Sequence, residues 1–211
     1  MIGSSLKDVV FSGDGNDFIK GGAGNDQING GNGTDRAVYS GTMSQYSFTS
    51  DLSQIFDSVS NRDGIDNLTN IERVQFADKI IALDIDGNAG QAYRLYQAAL
   101  HRTPDERGLA GWIKFMDEGG ALNTMAQSFI DSQEFRTKYG ALDDRNFINQ
   151  LYLNVLDRNG ETAGINGWVN GLANGLTRAD VLKGFSESGE NQTNVLGQIK
   201  NGIPYTEWWL S

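Results

Sequence analysis

A run of three nonapeptides near the start of the chain constrains its fold more than any other feature. Residues 12–38 read SGDGNDFIK, GGAGNDQIN and GGNGTDRAV, which fit the pattern G-G-x-G-x-D-x-U-x, where U is an apolar residue. Asp17, Asp26 and Asp35 therefore recur nine residues apart, each two residues before the U position. A flexible glycine-rich linker has no such period. The period instead predicts a stack of short strands, each preceded by a turn.

The U residues predict where the core of this stack lies. Ile19 and Ile28 are expected to point inward between two parallel ladders, whereas the small Ala37 predicts that the regular stack ends there. Upstream, residues 3–11 (GSSLKDVVF) fit as a degenerate fourth repeat with Asp8 in phase.

These nonapeptides resemble the RTX family of hemolysin-type calcium-binding repeats. In that family two nonapeptides make one turn of a parallel β-roll, so that residues eighteen apart are stacked and calcium lies between turns. The resemblance implies a first calcium site formed by Gly13, Gly15, Asp17, Gly30, Asn32 and Asp35. It implies a second site formed by Ser4, Leu6, Asp8, Gly21, Ala23 and Asp26. Ligation by backbone carbonyls explains why Leu and Ala are acceptable at ligand positions.

Repulsion between stacked aspartates would destabilise such a roll in the absence of a bound cation. Neighbouring strands lie about 4.8 Å apart, and two carboxylates at about 5 Å repel by about 3 kcal/mol at an effective dielectric of 20. A glycine-rich chain also loses much backbone entropy on folding. Calcium prefers six to eight oxygen ligands, which carbonyls and aspartates supply. We therefore expect folding of this segment to depend on Ca²⁺.

The segment after the repeats predicts a β-rich cap. Residues 46–49 and 54–59 alternate between apolar and polar positions and predict a hairpin. The following stretch, residues 63–84, resembles the segment that closes an RTX roll. Asp63, Asp66 and Asp78 are candidate further calcium ligands, and the alternative for each is an exposed turn aspartate.

Helical spacing begins at about residue 89, and the pattern is duplicated. Two copies align without a gap at an offset of 56 residues, over units of about 89–144 and 145–200. The matched pairs include Tyr96 and Tyr152, Arg102 and Arg158, Gly108 and Gly164, Trp112 and Trp168, and Phe129 and Phe185. Each unit predicts a helix, a turn, a second helix that carries the tryptophan, and a third helix.

These copies resemble a helical domain family of unknown function that often follows RTX repeats in secreted bacterial proteins. The signature Y-x-x-x-L-x-R-x-P-D-x-x-G-x-x-x-W is also similar to the phycobilisome linker domain. Pro104-Asp105 in the first copy becomes Gly160-Glu161 in the second. We expect Arg102 and Arg158 to pair with the acidic turn that follows each of them rather than to bind a ligand.

Composition excludes several functions. The net charge of −10 argues against nucleic acid or an anionic membrane as a partner, and no apolar run is long enough to span a bilayer. The chain has no cysteine and a single histidine without a partner pattern. It also has no zinc-protease or phosphate-loop motif, so we expect no catalytic activity.

Together these patterns predict an α+β chain of two domains. Residues 1–86 would form the parallel β-roll with its hairpin cap, and residues 87–211 an all-α domain with an aromatic tail. The expected function is that of a calcium-binding module, exported by type I secretion, that folds outside the cell and mediates adhesion, surface attachment or ligand binding through its helices. Candidate partners are an extracellular polysaccharide and a cell-surface or surface-layer component. The alternatives are an accessory module of a polysaccharide-modifying enzyme or protease, and a self-assembly domain. The tail could pack on the helices, belong to a secretion signal or stack on sugar.

Overall fold

A computed structural model describes residues 1–210, and Ser211 lies outside the described residues. The contacts divide the chain into two compact units. The sheet unit comprises Met1–Ile85 together with residues 199–210, and the helical unit comprises Asp86–Gln198. The C-terminal segment thus belongs with the sheets, whereas the sequence analysis placed it in the helical domain.

The sheet unit contains ten short strands in two five-stranded sheets. The strands are β1 (Val9–Asp14), β2 (Phe18–Ile19), β3 (Gln27–Asn32), β4 (Arg36–Val38), β5 (Tyr46–Phe48), β6 (Gln54–Asp57), β7 (Ile65–Thr69), β8 (Arg73–Gln75), β9 (Ile80–Ala82) and β10 (Ile203–Tyr205). The strand order is β1-β3-β7-β6-β5 in the first sheet and β10-β9-β8-β4-β2 in the second.

The nonapeptides pair in parallel with the predicted offset of eighteen residues. Val10 lies opposite Ile28 in the first sheet, and Ile19 lies opposite Ala37 in the second. These four side chains are buried in one apolar cluster between the sheets. Alternate positions of a strand face opposite sides of the sheet, so a single inward residue per nonapeptide forms this narrow core.

The parallel stack does not end at Ala37, which corrects the sequence-based expectation. β3 pairs in parallel with β7 and β4 pairs in parallel with β8, so that Leu68 follows Ile28 and Val74 follows Ala37. The chain between these layers leaves the stack and forms the antiparallel hairpin of β5 and β6, as predicted. β6 then pairs with β7 in antiparallel orientation.

Both sheets are therefore mixed, whereas the sequence predicted a parallel β-roll with a separate hairpin cap. β9 returns after a short connection from β8, and a short connection can join only antiparallel neighbours. β10 adds to β9 in antiparallel orientation and is the edge strand of its sheet, with Pro204 at its centre. The aromatic tail thus begins as a sheet strand, not as a segment packed on helices.

The helical unit contains eight helices. They are α1 (Asn88–Leu100), α2 (Glu106–Asp117), α3 (Leu122–Ile130), α4 (Gln133–Tyr139), α5 (Asp144–Leu156), α6 (Thr162–Ala173), α7 (Arg178–Ser186) and α8 (Gly189–Ile199). Each of the last four begins 56 residues after its counterpart among the first four. Equivalent aromatic clusters join the helices, since Phe129 contacts Tyr96 and Trp112, and Phe185 contacts Tyr152 and Trp168.

Candidate metal centre

The acidic residues of the repeats form two columns that cross the layers of the stack. In the first column, the backbone N–H of Asp8 donates to Asp26 Oδ1 at 2.9 Å, and the N–H of Asp26 donates to Asp66 Oδ1 at 2.8 Å. Each carboxylate therefore accepts the main-chain hydrogen bond of the acid in the preceding layer. This repeated bond fixes the carboxylates in line along the stack.

The second column runs through Asp17, Asp35 and Glu72. The N–H of Asp17 donates to Asp35 Oδ1 at 2.9 Å, and the N–H of Asp35 donates to Glu72 Oε2 at 2.7 Å. The nine-residue period of the sequence thus places alternate aspartates in alternate columns, because two nonapeptides make one layer.

Three oxygens in these columns are buried without a hydrogen-bond partner. They are the Oδ2 atoms of Asp17, Asp26 and Asp35. Asp26 and Asp35 are fully buried, and burial raises the pKa of both carboxyls above the usual value. A buried anionic oxygen without a partner is costly, and a bound cation removes that cost. This donor set fits Ca²⁺.

Backbone carbonyls of neighbouring layers approach the same region. Gly31 and Gly33 have φ values of +96° and +140°, which favour glycine, and a methyl group on either would overlap a carbonyl oxygen of the layer before. Those oxygens belong to Gly13 and Gly15, two of the predicted ligands. The structure therefore brings the two halves of the first predicted site together.

The second predicted site is assembled in the same way but differs in its first half. The Ser4 carbonyl accepts from the N–H of Ala23, and a methyl group on Gly24 would contact the Leu6 carbonyl. Asp8 Oδ2 accepts from the Ser4 N–H at 2.6 Å and from Ser4 Oγ at 2.8 Å. These bonds from Ser4 lower the pKa of Asp8 below its usual value.

The three further aspartates have different environments. Asp66 lies in the first column, is buried, and accepts from the Tyr39 hydroxyl at 2.9 Å. Burial raises the pKa of Asp66 to about 7, against the effect of its two hydrogen bonds. Asp63 is buried outside the columns, where it accepts from Ser40 and from the Tyr46 hydroxyl. These bonds account for Asp63 without a metal ion.

Asp78 lies away from both columns and caps a backbone N–H. Its carboxylate is exposed and accepts from the Met43 N–H at 2.8 Å. The alternative interpretation, an exposed turn aspartate, describes this residue better than metal ligation does.

Glu72 is a column residue that the sequence analysis missed. It stands two residues before the buried Val74, as Asp35 stands two residues before Ala37. The spacing of an acid two residues before an apolar residue could therefore have identified Glu72. It was missed because this repeat has glutamate in place of aspartate and lacks the glycines before it. Burial raises the pKa of Glu72 above its usual value.

Side chains alone do not form a metal cluster. Within residues 1–210, no group of three or more histidine, cysteine, aspartate or glutamate side chains converges on one point. Two carboxylates from neighbouring layers must be completed by main-chain carbonyls, as the sequence analysis expected. Such a site depends on the stacking of turns and not on any one turn.

The repeated arginines of the helical unit have structural partners. Arg102 forms ion pairs with Glu134 at 2.7 Å and Asp105 at 3.6 Å, and Arg158 forms ion pairs with Glu161 at 3.1 Å and Glu190 at 3.3 Å. Each guanidinium also lies over the equivalent tyrosine ring, Tyr96 or Tyr152. The expected pairing with the acidic turn is confirmed.

Comparison with known proteins gives a family match in each part of the chain. Residues 2–37 match the RTX calcium-binding nonapeptide repeat in four copies, which includes the degenerate first repeat. Residues 126–195 match a domain of unknown function, DUF4214. The N-terminal repeats are therefore RTX repeats, which bind Ca²⁺, and such repeats are typical of type I secreted extracellular proteins. The resemblance of the helices to the phycobilisome linker domain has no match to support it.

Other comparisons add little. The chain is similar to the extracellular lipase LipA from Serratia marcescens, with 23% sequence identity over 36% of this chain and a TM-score of 0.21. It covers 14% of the length of that lipase. A search among curated proteins gives no match. None of the helices within residues 1–210 combines the length and the apolar character that crossing a membrane requires.

Proposed function

We propose that this chain is a calcium-dependent module of a type I secreted protein. Its repeats form a β-roll that folds when calcium binds outside the cell. The single observation that carries the proposal is the set of three buried carboxylate oxygens without partners, on Asp17, Asp26 and Asp35. Each lies in a column of stacked acids, where a bound cation offsets both the burial and the mutual repulsion of the ionised carboxylates.

Mass action sets the size of this dependence. An ion present at 100 times its dissociation constant stabilises the folded state by about 2.7 kcal/mol per site. Where calcium is scarce this contribution disappears, and the stacked acids favour the unfolded state of the repeats. The repeats would therefore be unfolded before export and folded after it.

The test is a calcium titration of the full chain followed by far-UV circular dichroism. We expect the β signal to appear with calcium and to need a higher concentration in the double variant Asp17→Ala/Asp35→Ala. Asp78→Ala is the matched control, because it removes an exposed acid of the same unit outside both columns. A β signal that is insensitive to chelator would refute the proposal.

We further propose that the helical unit supplies the contact with a partner, which would make the module one of surface attachment or adhesion. The specific observation is its exposed large apolar side chains, namely Leu153 on α5, Leu196 on α8 and Leu176 in the connection between α6 and α7. A glycan array and a binding assay on surface-layer preparations test attachment. Concentration-dependent sedimentation would instead favour the self-assembly alternative. The alternative of an accessory module of a secreted polysaccharide-modifying enzyme predicts binding to that enzyme's polysaccharide.

A further inference from the structure

We propose that the turn at residues 61–66 completes an additional calcium site with the turn at residues 21–26. One half of the site, residues 61–66, lies outside the matched repeats, which end at residue 37. It rests on the proposed function, because it requires that the repeats bind calcium as proposed. It would place an ion between two turns that an inserted hairpin separates by forty residues in the sequence.

The strand register places these turns in adjacent layers. Ile28 pairs with Leu68 in parallel, so residues forty apart lie opposite one another in β3 and β7. Residues 61–69 (NRDGIDNLT) thereby occupy the position of the next nonapeptide, with Gly64, Asp66 and Leu68 at its fourth, sixth and eighth places. The hairpin of β5 and β6 hides this repeat from a search by period.

The contact between the two turns repeats the contact within the first predicted site. Gly64 has a φ of +82°, and a methyl group on it would overlap the Gly24 carbonyl, as one on Gly33 would overlap that of Gly15. The Gly24 carbonyl thus points into the space between the two turns.

A side-chain bond between the layers recurs as well. The N–H of Ile65 donates to Asn25 Oδ1 at 3.0 Å, as the N–H of Thr34 donates to Asn16 Oδ1 at 2.9 Å. Because the close approach to a carbonyl and the bond to an asparagine amide oxygen both recur, the turns at residues 21–26 and 61–66 are stacked at the same distance as the turns of the first predicted site.

A buried oxygen without a partner, one of the three that support the proposed function, lies at the turn of residues 21–26. Asp26 is fully buried, and its Oδ2 has no hydrogen-bond partner. This atom lies beside Gly21, at the start of the turn that is stacked on residues 61–66. Its Oδ1 accepts only the N–H of Asp8. The free oxygen therefore has a cation as its natural partner.

Asp66 supplies the second carboxylate. Its Oδ1 accepts the N–H of Asp26, and its Oδ2 accepts the Tyr39 hydroxyl. A carboxylate has about four acceptor positions, so these two bonds orient Asp66 and leave capacity for an ion. The nearby guanidinium of Arg62 is held by two bonds to Asp57, at 2.7 and 2.5 Å. The proposed ligands are thus Asp26, Asp66 and carbonyls of the two turns, such as that of Gly24.

The end of the second column provides a matched control. Glu72 is stacked on Asp35 as Asp66 is stacked on Asp26. Paired residues are 40 apart in the sequence where β3 pairs with β7, but 37 apart where β4 pairs with β8. The segment between the last paired residue of β7 and the first paired residue of β8 is therefore three residues shorter than the segment between their partners in β3 and β4. The shorter segment contains no glycine, and we expect it to hold no ion.

Native mass spectrometry of the full chain in calcium chloride tests the site by counting ions. Asp66→Asn is expected to bind one ion fewer than the wild type, and Glu72→Gln is expected to bind the wild-type number. An unchanged count in Asp66→Asn, or an equal loss in both variants, would overturn the inference. If the wild type bound no calcium at all, the proposed function would fail instead, so the two failures are distinguishable.

A second measurement covers the case in which Asp66→Asn does not fold. Anomalous diffraction from wild-type crystals grown in calcium is expected to give a peak between residues 21–26 and 61–66. Peaks confined to the sites of the matched repeats would overturn the inference.

Discussion

The two units of the chain bury polar groups in opposite ways. The sheet unit buries four aspartates, Asp26, Asp35, Asp63 and Asp66, around an apolar core that is one residue wide per nonapeptide. In the helical unit the buried polar residues are Arg94, Asn154, Ser186 and Asn191, and each has a partner within the unit. Two buried oxygens of this unit, Gln97 Oε1 and Asn123 Oδ1, have no partner, but they belong to neutral amides and not to carboxylates. Arg94, for example, donates two bonds to Glu187, at 2.9 and 2.6 Å.

This difference indicates that the two units are stabilised differently: the helical unit by side-chain packing, and the sheet unit by a bound ligand. The helices exclude water with apolar and aromatic side chains, as most globular domains do. The sheets bury column carboxylates, those of Asp26 and Asp35 among them, that have an oxygen without a hydrogen-bond partner and that a bound cation would balance. We therefore expect the helical unit to fold without calcium and the sheet unit to require it, and the following experiments test that contrast.

Calcium removal is expected to have the largest effect. In chelator, backbone amides of the sheet unit should exchange with deuterium as an unfolded chain does, whereas those of the helical unit should stay protected. The measurement is hydrogen exchange followed by mass spectrometry, with restored calcium as the control. Equal loss of protection in both units would show that the helices also depend on the ion.

A core deletion in the helical unit should have the converse effect. Phe147 is fully buried in α5, so Phe147→Ala is expected to destabilise the helices by about 3–5 kcal/mol. Denaturant unfolding followed by helical circular dichroism measures this loss. Leu153→Ala, at an exposed position of the same helix, is the control and should change stability by less than about 0.5 kcal/mol. The contrast fails if Phe147→Ala shifts the calcium midpoint of the sheet unit.

The stability of the sheet unit should depend on pH differently with and without bound calcium. Burial raises the pKa of Asp66 to about 7 and raises those of Asp26 and Asp35. Protons therefore compete with calcium, and between about pH 8 and about pH 6 its affinity should fall roughly tenfold, about 1.4 kcal/mol.

Without calcium, the stability of the sheet unit should depend on pH in the opposite direction. A carboxyl whose pKa is raised by folding favours the folded state below its unfolded pKa, and this contribution is lost as the pH rises through about 7. Calcium titrations at several pH values measure the first effect. Asp66→Asn should flatten the dependence near pH 7, and a wild-type midpoint that is independent of pH would contradict the assignment.

The smallest effect is expected at the repeated arginines. Arg102 and Arg158 pair with acids at partly exposed positions, and such pairs contribute about 0.2–1 kcal/mol. Arg102→Ala and Arg158→Ala should therefore lower the thermal stability of the helices slightly and leave calcium binding unchanged. A loss of glycan or surface binding in both variants, without a loss of stability, would instead assign these side chains a recognition role.

Local periodicity made much of the architecture predictable. The nine-residue period fixed the pairing of Val10 with Ile28 and the burial of Ile19, because inward positions repeat with the pattern. Alternation predicted the β5–β6 hairpin. The offset of 56 residues predicted helices that begin at equivalent positions, such as Asn88 and Asp144.

What the sequence did not reveal depends on contacts between distant segments. The stack continues past Ala37 because β7 and β8 return to it after the hairpin, and a period search stops where the hairpin begins. The pairing of β10 with β9 joins strands more than a hundred residues apart, for which no local pattern gives a signal. Glu72 was missed for a related reason, since its column position is defined by Asp35 in the neighbouring layer.

The mixed sheets also make the two ends of the stack different, so that further strands can be added at one end only. At one end, antiparallel strands close it, and the edge strand β10 carries Pro204, which has no N–H to offer to another strand. At the other end, β1 and β2 are edge strands of parallel pairs, with Val9, Phe11 and Phe18 exposed. Further repeats can extend such a stack only at the open end. Aggregation through strand pairing should start at the same end, so a charged substitution for solubility belongs on β1 rather than on β10.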